Sequence, residues 1–85
     1  MILVTGGCGY LGSHCAVELI NSGFNVVLLD NLRNSNITTV DKIQSLTNKK
    51  CELIKSDIRD YKTLEEVFKK YNFEAVVHFA GLKSI

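Results

Sequence analysis

Apolar residues cluster in four short segments of the 85-residue chain, at residues 2–4, 26–29, 51–55 and 75–79. The first two segments are continuous branched runs without polar alternation, which is the pattern of strands buried on both faces. The other two have the length expected of further strands. We therefore predict a strand at each of the four segments.

The three stretches between these strands carry apolar residues at helical spacing. Gly23 is well placed to end the first helix, and Asp60 is a good N-cap for the third. The second helix is less regular, because apolar residues that recur every third position drift around a helix. The apolar positions are Leu11, Cys15, Ala16, Leu19 and Ile20 in the first helix, Ile37, Val40, Ile43 and Leu46 in the second, and Leu64, Val67, Phe68 and Tyr71 in the third.

The predicted element order is β-α-β-α-β-α-β. Strands that alternate with helices form a parallel sheet with right-handed crossovers. We predict an α/β fold, an incomplete doubly wound parallel sheet with strand order 3-2-1-4 and helices on both faces. Nothing follows the fourth strand to cover its second face or its edge, so we expect residues 1–85 to be the N-terminal part of a longer domain.

Charge and composition remove several classes of partner. Ten basic residues against nine acidic ones give a formal charge of +1, which leaves no electrostatic footprint for nucleic acid or anionic lipid. No apolar run approaches the ~20 residues that a bilayer crossing needs. Three cysteines without close pairing indicate a reducing compartment. We expect a cytoplasmic protein without a nucleic-acid or membrane partner.

A glycine cluster follows the first predicted strand and opens the first predicted helix. Gly7-x-Gly9-x-x-Gly12 satisfies the dinucleotide fingerprint, and Gly6-x-x-Gly9-x-x-Gly12 satisfies a close variant. The chain must turn sharply here, approach a pyrophosphate closely and pack the helix on the strand, and a Cβ atom hinders each of these. Unpaired N–H groups near residues 10–11 would then face the phosphates. The cluster predicts a Rossmann-type dinucleotide site.

Asp30 ends the second predicted strand, 18 residues after Gly12. A carboxylate at this place accepts hydrogen bonds from the adenosine ribose and repels a 2′-phosphate, which favours NAD over NADP. Without the glycines, Asp30 would be interpreted as an ordinary strand-end turn residue. Arg33 leaves NADP open, because an arginine near this point can accept a 2′-phosphate.

Other chemistries find little support in the sequence. Gly7-x-x-x-x-Gly12 is followed by Ser13-His14 and lacks the lysine of a nucleoside-triphosphate loop. The spacing of Cys8, His14 and Cys15 is not a usual zinc spacing, so we interpret the cysteines as small core residues. His78 lies in an apolar strand and is expected to be structural. No nucleophile–base pair, catalytic residue or metal site can be assigned.

The candidate binding residues all follow the carboxyl ends of predicted strands. In open α/β sheets, ligands bind in the crevice outside these ends. The segments concerned should therefore line one crevice; they are residues 6–12, 30–35, 57–58 and 79–83.

Four motifs together resemble the extended short-chain dehydrogenase/reductase superfamily, and within it they are most similar to the UDP-glucose 4-epimerases. The glycine motif is shared across the superfamily, whereas the second and fourth motifs are much narrower. Cys8 stands where Ala or Ser is more frequent, and Leu11 where Ile is. The motifs are Val4–His14, Leu29-Asp30-Asn31-Leu32-x-Asn34-Ser35, Asp57-Ile58-Arg59 and Val77-His78-Phe79-Ala80-Gly81-Leu82-Lys83.

The resemblance implies a role for each matching residue. The glycine turn at Gly6 and Gly9, with Tyr10 and Leu11, would hold the pyrophosphate of NAD. The adenosine ribose would contact the segment after the second strand, and the adenine would lie between two residues after the third. The residues after the fourth strand would run along the cofactor towards the nicotinamide. In chain order the last three groups are Asp30, Asn31, Leu32, Arg33, Asn34 and Ser35; Asp57 and Ile58; and Phe79, Ala80, Gly81 and Lys83.

The resemblance also implies an activity for the longer parent protein and leaves open whether that protein is a homodimer. Members of this family interconvert UDP-glucose and UDP-galactose through a transient 4-keto sugar, passing a hydride to NAD and back. Their catalytic Tyr-x-x-x-Lys does not occur in these 85 residues, so we expect the chain alone to be an inactive NAD-binding part. Rival interpretations are another nucleotide-sugar dehydratase or decarboxylase, or a non-catalytic NAD-binding regulatory domain.

Overall fold

Four strands and three helices alternate along residues 1–32 and 37–79, the part of the chain that the computed structural model describes. The alternation confirms the predicted order, with element ends shifted by one or two residues. The strands are β1 (Ile2–Thr5), β2 (Val26–Asp30), β3 (Glu52–Lys55) and β4 (Ala75–His78), and the helices are α1 (Tyr10–Asn21), α2 (Thr38–Thr47) and α3 (Tyr61–Lys70).

The strands form one parallel sheet in the order β3-β2-β1-β4, which confirms the predicted Rossmann-type topology. Val4 at the centre of β1 pairs with Leu28 of β2 on one side and with Val77 of β4 on the other. Because all strands run in the same direction, their carboxyl ends meet at one edge of the sheet.

The core consists of two layers, one on each face of the sheet. Side chains of successive strand residues point to opposite faces. Val4 and Leu28 therefore pack with Ala16 of α1 and Ile43 of α2. The opposite face of the sheet carries Leu3, Val27 and Leu29. They pack against Leu64 of α3, Tyr71 and Phe73. Every residue of β1 and β2 is buried, as the unalternating pattern predicts, whereas β3 and β4 are partly exposed.

The predicted apolar positions of the second helix are confirmed only in part: Ile43 is buried and Val40 packs against the same core layer. Ile37 and Leu46 belong to the every-third apolar pattern, yet both are exposed. The buried residues are Ile43 and Thr47, four positions apart and therefore on one face. Thr47 tolerates burial because its hydroxyl donates to the carbonyl oxygen of Ile43 at 2.8 Å. Because a three-residue repeat drifts around the helix, the first and last residues of the pattern, Ile37 and Leu46, are exposed to solvent.

The predicted boundaries of α1 and α3 are confirmed by their hydrogen bonds. After α1, the N–H of Gly23 donates to Ile20 and that of Phe24 to Leu19, which is the Schellman arrangement. At the start of α3, the Asp60 carboxylate accepts two hydrogen bonds from Thr63, one from its main-chain N–H at 3.2 Å and one from its side-chain hydroxyl at 2.8 Å. Both helices are thereby fixed in length on their side of the sheet.

Leu28→Ala should destabilise the complete polypeptide that contains this chain by about 2–5 kcal/mol, because it leaves a cavity in a packed core. Leu28 is 0% exposed, whereas Leu46 is 71% exposed, so Leu46→Ala is a matched control with an expected loss within about 0.5 kcal/mol. Urea denaturation of both variants measures the difference. Equal losses would show that the two-layer core is assigned incorrectly.

Candidate dinucleotide-binding site

The connection between β1 and α1 is a tight turn built on Gly6. Its φ of 68° lies in the left-handed region that favours glycine. Its N–H donates to the carbonyl oxygen of Leu29 on β2 at 2.7 Å, and its own carbonyl oxygen accepts the N–H of Gly9 at 3.1 Å. Of the two overlapping fingerprints in the sequence, the turn therefore corresponds to Gly6-x-x-Gly9-x-x-Gly12.

Helix α1 crosses the end of β1 so closely that Gly12 has no room for a side chain. A Cβ atom on Gly12 would collide with the carbonyl oxygen of Gly6. A Cβ atom on Gly7 would lie 2.6 Å from Cδ2 of Leu28, whereas one on Gly9 would lie 3.3 Å from the Gly6 oxygen. Packing thus requires Gly7 and Gly12 more strictly than it requires Gly9.

The first turn of α1 offers main-chain donors without side-chain caps. Gly9 is the N-cap with extended backbone (φ −77°, ψ 174°) and makes no side-chain capping bond. The first helical bond runs from the N–H of Ser13 to Gly9 at 2.9 Å. The N–H groups of residues 10–12 precede that bond and point out of the helix end, which also carries partial positive charge. This end of α1 is suited to an anion such as a pyrophosphate.

Asp30 links the glycine turn to the segment after β2. Its Oδ2 accepts the N–H of Cys8 at 3.0 Å, and its Oδ1 accepts the N–H of Leu32 at 2.8 Å. The residue is only 8% exposed. The sequence indicated a ribose ligand at this position but not this bracing of the main chain. Since the partners are backbone amides, no side-chain pattern could have revealed them.

The carboxylate of Asp57 is held by three donors of Arg59, at the turn after β3. The main-chain N–H and Nε of Arg59 donate to Oδ1 at 2.9 and 3.1 Å, and Nη2 donates to Oδ2 at 2.9 Å. These bonds hold the pKa of the Asp57 carboxyl well below its usual range. Nδ2 of Asn31 reaches Oδ2 at 3.5 Å, and the N–H of Ser56 donates to the carbonyl oxygen of Asp30 at 3.1 Å. The ends of β2 and β3 are therefore adjacent.

The end of β4 lies on the other side of β1. The N–H of Phe79 donates to the carbonyl oxygen of Thr5 at 2.9 Å, and the Phe79 side chain packs against the core layer of α1 and α2. His78 pairs through Nδ1 with the Thr5 hydroxyl at 2.6 Å, as expected of a structural histidine.

The structure thus brings the described members of the predicted site to one edge of the sheet, around the end of β1. These members are Gly6, Gly9, Tyr10, Leu11, Asp30, Asn31, Leu32, Asp57, Ile58 and Phe79. The remaining predicted residues lie outside the described part of the chain: Arg33, Asn34, Ser35, Ala80, Gly81 and Lys83. Arg59 lies at this edge as well, although no role was predicted for it from the sequence.

Cys8 and Cys51 lie in the buried core, as predicted, whereas Cys15 is only partly buried. Burial raises the pKa of the Cys8 thiol to about 11, and the nearby Asp30 carboxylate adds to the effect. Burial also raises the pKa of Cys51 to about 11. Across residues 1–32 and 37–79, no cluster of His, Cys, Asp or Glu side chains could hold a metal ion. Over the same ranges, no helix is both long enough and apolar enough to cross a membrane.

A parallel sheet with a glycine turn after one strand and a carboxylate at the end of the next strand is the arrangement of a Rossmann-type fold. The model of the GDP-mannose 4,6 dehydratase family matches residues 3–85. The chain belongs to this family, and the predicted resemblance to nucleotide-sugar enzymes is confirmed.

Individual relatives are similar over nearly the whole chain. A UDP-glucose 4-epimerase from Bacillus subtilis is 46% identical over 84 residues, which are 99% of this chain. Crystal structures of the UDP-glucose 4-epimerases from Stenotrophomonas maltophila and Bifidobacterium longum match with TM-scores of 0.94 and 0.95 at 42% and 38% identity, again over 99% of this chain. The first contains NAD and formylated UDP-arabinopyranose, and the second NAD+ and UDP. The chain spans 25% of the length of each of these three relatives.

Gly12→Ala should destabilise the protein by about 3 kcal/mol or more, because the added methyl group forces α1 away from the end of β1. Gly9→Ala is the matched control, since its methyl group meets a single oxygen at 3.3 Å in an allowed backbone conformation. We expect a clearly smaller loss for Gly9→Ala in thermal unfolding followed by circular dichroism. A harmless Gly12→Ala would contradict the close crossing.

Proposed function

We propose that this chain is the NAD-binding part of a UDP-glucose 4-epimerase-like enzyme, which interconverts UDP-glucose and UDP-galactose through a transient 4-keto sugar. The observation that carries the proposal is the glycine turn braced by Asp30, which places main-chain donors and a carboxylate side by side at one sheet edge. The epimerases that match over 99% of the chain, two of them crystallised with NAD, support it.

The pyrophosphate of NAD fits the start of α1. Its negative charge would face the N–H groups of residues 10–11 and the partial positive charge of the helix end. Gly9, the N-cap of α1, has no side chain that could stand between these groups and a ligand. Gly6 forms the turn that aims the helix end at the ligand.

The adenosine half fits the ends of β2 and β3. Asp30 is an acceptor that suits the ribose hydroxyls, and its negative charge disfavours the 2′-phosphate of NADP. Asn31 and Leu32 extend this segment, with Arg33, Asn34 and Ser35 proposed to continue it. Asp57 and Ile58 would flank the adenine.

The nicotinamide half is proposed to follow β4. Phe79 starts this path, and Ala80, Gly81 and Lys83 are proposed to continue it. Bound NAD would supply the hydride acceptor and donor for the sugar C4 position. Because the 85 residues contain no Tyr-x-x-x-Lys, we propose that this chain binds and orients the cofactor and that proton transfer is carried out elsewhere in the complete polypeptide. For that polypeptide we propose a cytoplasmic location, a role in galactose metabolism and a homodimer.

A second candidate is a nucleotide-sugar dehydratase, which the description of the matching family model favours. Both reactions begin with a hydride moved to NAD, so the binding half described above serves either one. The narrower motifs after β2 and β4 favour the epimerase.

The complete polypeptide that contains this chain should convert UDP-glucose to UDP-galactose when it is supplied with NAD. Chromatography of the nucleotide sugars after incubation detects the product. A 4-keto-6-deoxy sugar nucleotide in its place would favour the dehydratase. Tight NAD binding without turnover of any nucleotide sugar would favour a regulatory domain.

Asp30→Ala should weaken NAD binding by roughly 5- to 150-fold, the effect of about 1–3 kcal/mol when polar partners lose their acceptor. Asp41→Ala, which removes an exposed carboxylate from the first turn of α2, is the matched control and should bind like the wild type. Isothermal titration calorimetry measures both affinities. Circular dichroism confirms that each variant is folded, since Asp30 also braces the loop. Equal affinities of Asp30→Ala and wild type would contradict the role of Asp30.

A further inference from the structure

We infer that Arg59 is a positioning residue for base recognition, because it fixes the Asp57 carboxylate as an acceptor for the exocyclic amino group of a purine. The inference rests on the proposed function, since it takes the ligand to be an adenine dinucleotide. Arg59 belongs to the motif Asp57-Ile58-Arg59, but the proposed contacts with NAD assign no role to it.

The Arg59 guanidinium and the Asp57 carboxylate form a bidentate ion pair, which we call the clamp. Nε and Nη2 of Arg59 each reach a different oxygen of Asp57, at 3.1 and 2.9 Å, and the main-chain N–H of Arg59 adds a third bond of 2.9 Å. The planar guanidinium matches a carboxylate in this side-by-side manner, which fixes the plane of the carboxylate as well as its position. A lysine could neutralise the charge but could not impose this orientation.

The clamp contributes little to the stability of the fold. The Arg59 side chain is 76% exposed and that of Asp57 is 31% exposed, so the pair is largely solvated. Exposed ion pairs of this kind add little free energy of folding. The loss of Arg59 should therefore appear in ligand selectivity and not in the thermal transition.

Asp57 lies at the sheet edge, next to the end of β2. Asn31, directly after Asp30, reaches its Oδ2 at 3.5 Å, and the chain before Asp57 is tied to Asp30 through the N–H of Ser56. A nucleotide whose ribose lies at Asp30 would therefore have its base close to Asp57. The clamped carboxylate is thus within the adenosine half of the proposed site.

The chemistry of a clamped carboxylate selects for a donor. An ionised carboxylate only accepts hydrogen bonds, and an aspartate is already ionised at neutral pH at its ordinary pKa. The hydrogen bonds from Arg59 lower the pKa of the Asp57 carboxyl further. Adenine presents an amino group that donates, whereas hypoxanthine presents a carbonyl oxygen at the same place, which a carboxylate repels. A fixed Asp57 therefore discriminates between the two bases, and a freely rotating Asp57 discriminates less.

The test compares NAD with nicotinamide hypoxanthine dinucleotide by calorimetric titration of the complete polypeptide. The wild type should prefer NAD by roughly tenfold or more, as expected for a hydrogen bond to a charged acceptor. Arg59→Ala should lose most of this preference, and Arg59→Lys should lose part of it. Lys62→Ala, which removes another exposed cation three residues away, should keep the wild-type preference.

The outcomes separate this inference from the proposed function. If Arg59→Ala keeps the full preference, or if the wild type has none, the role of Arg59 is overturned while NAD binding still stands. If the wild type binds neither dinucleotide, the proposed function fails and this inference fails with it. Circular dichroism of each variant, in which no change of the thermal transition is expected, shows that a lost preference does not come from unfolding.

Discussion

The contact between Gly12 and the carbonyl oxygen of Gly6 is the constraint on which the rest of the site depends. It sets how closely α1 crosses the end of β1, since a side-chain carbon at Gly12 would overlap that oxygen. The same crossing directs the first amides of α1 away from the sheet and towards the crevice. The packing requirement of the fold and the ligand-binding role that we propose therefore depend on the same residue, which is why the glycine spacing is so informative.

Asp30 connects the glycine turn with the segment after β2 through hydrogen bonds to both. Its oxygens accept amides from the glycine turn and from the segment after β2, two parts of the chain that are 22 and 2 residues away. Because the residue is almost buried, these bonds are protected from water and hold the main chain firmly. The carboxylate that we propose as a ribose ligand is thus also a structural element, and loss of affinity in its variants has to be separated from loss of order.

Sequence patterns predicted the parts of this structure that depend on local spacing. The unalternating runs of β1 and β2, the Schellman end of α1 and the Asp60 cap all follow from short-range rules. The buried face of α2 was predicted only in part. An every-third pattern drifts around the helix, so it included the exposed Leu46 and missed the buried Thr47, which tertiary packing places next to Ile43. The clamp of Asp57 by Arg59 also escaped prediction, because it exists only once the turn after β3 brings the two side chains together.

The distribution of donors and acceptors gives the crevice a direction. Main-chain N–H groups dominate at the start of α1, while the carboxylates of Asp30 and Asp57 lie beyond it, at the ends of β2 and β3. An extended dinucleotide is complementary to this distribution, because it has phosphate acceptors in the middle and ribose and amino donors at the adenosine end. In the binding mode that we propose, the adenosine half would therefore lie at the ends of β2 and β3, and the reactive half on the side of β4.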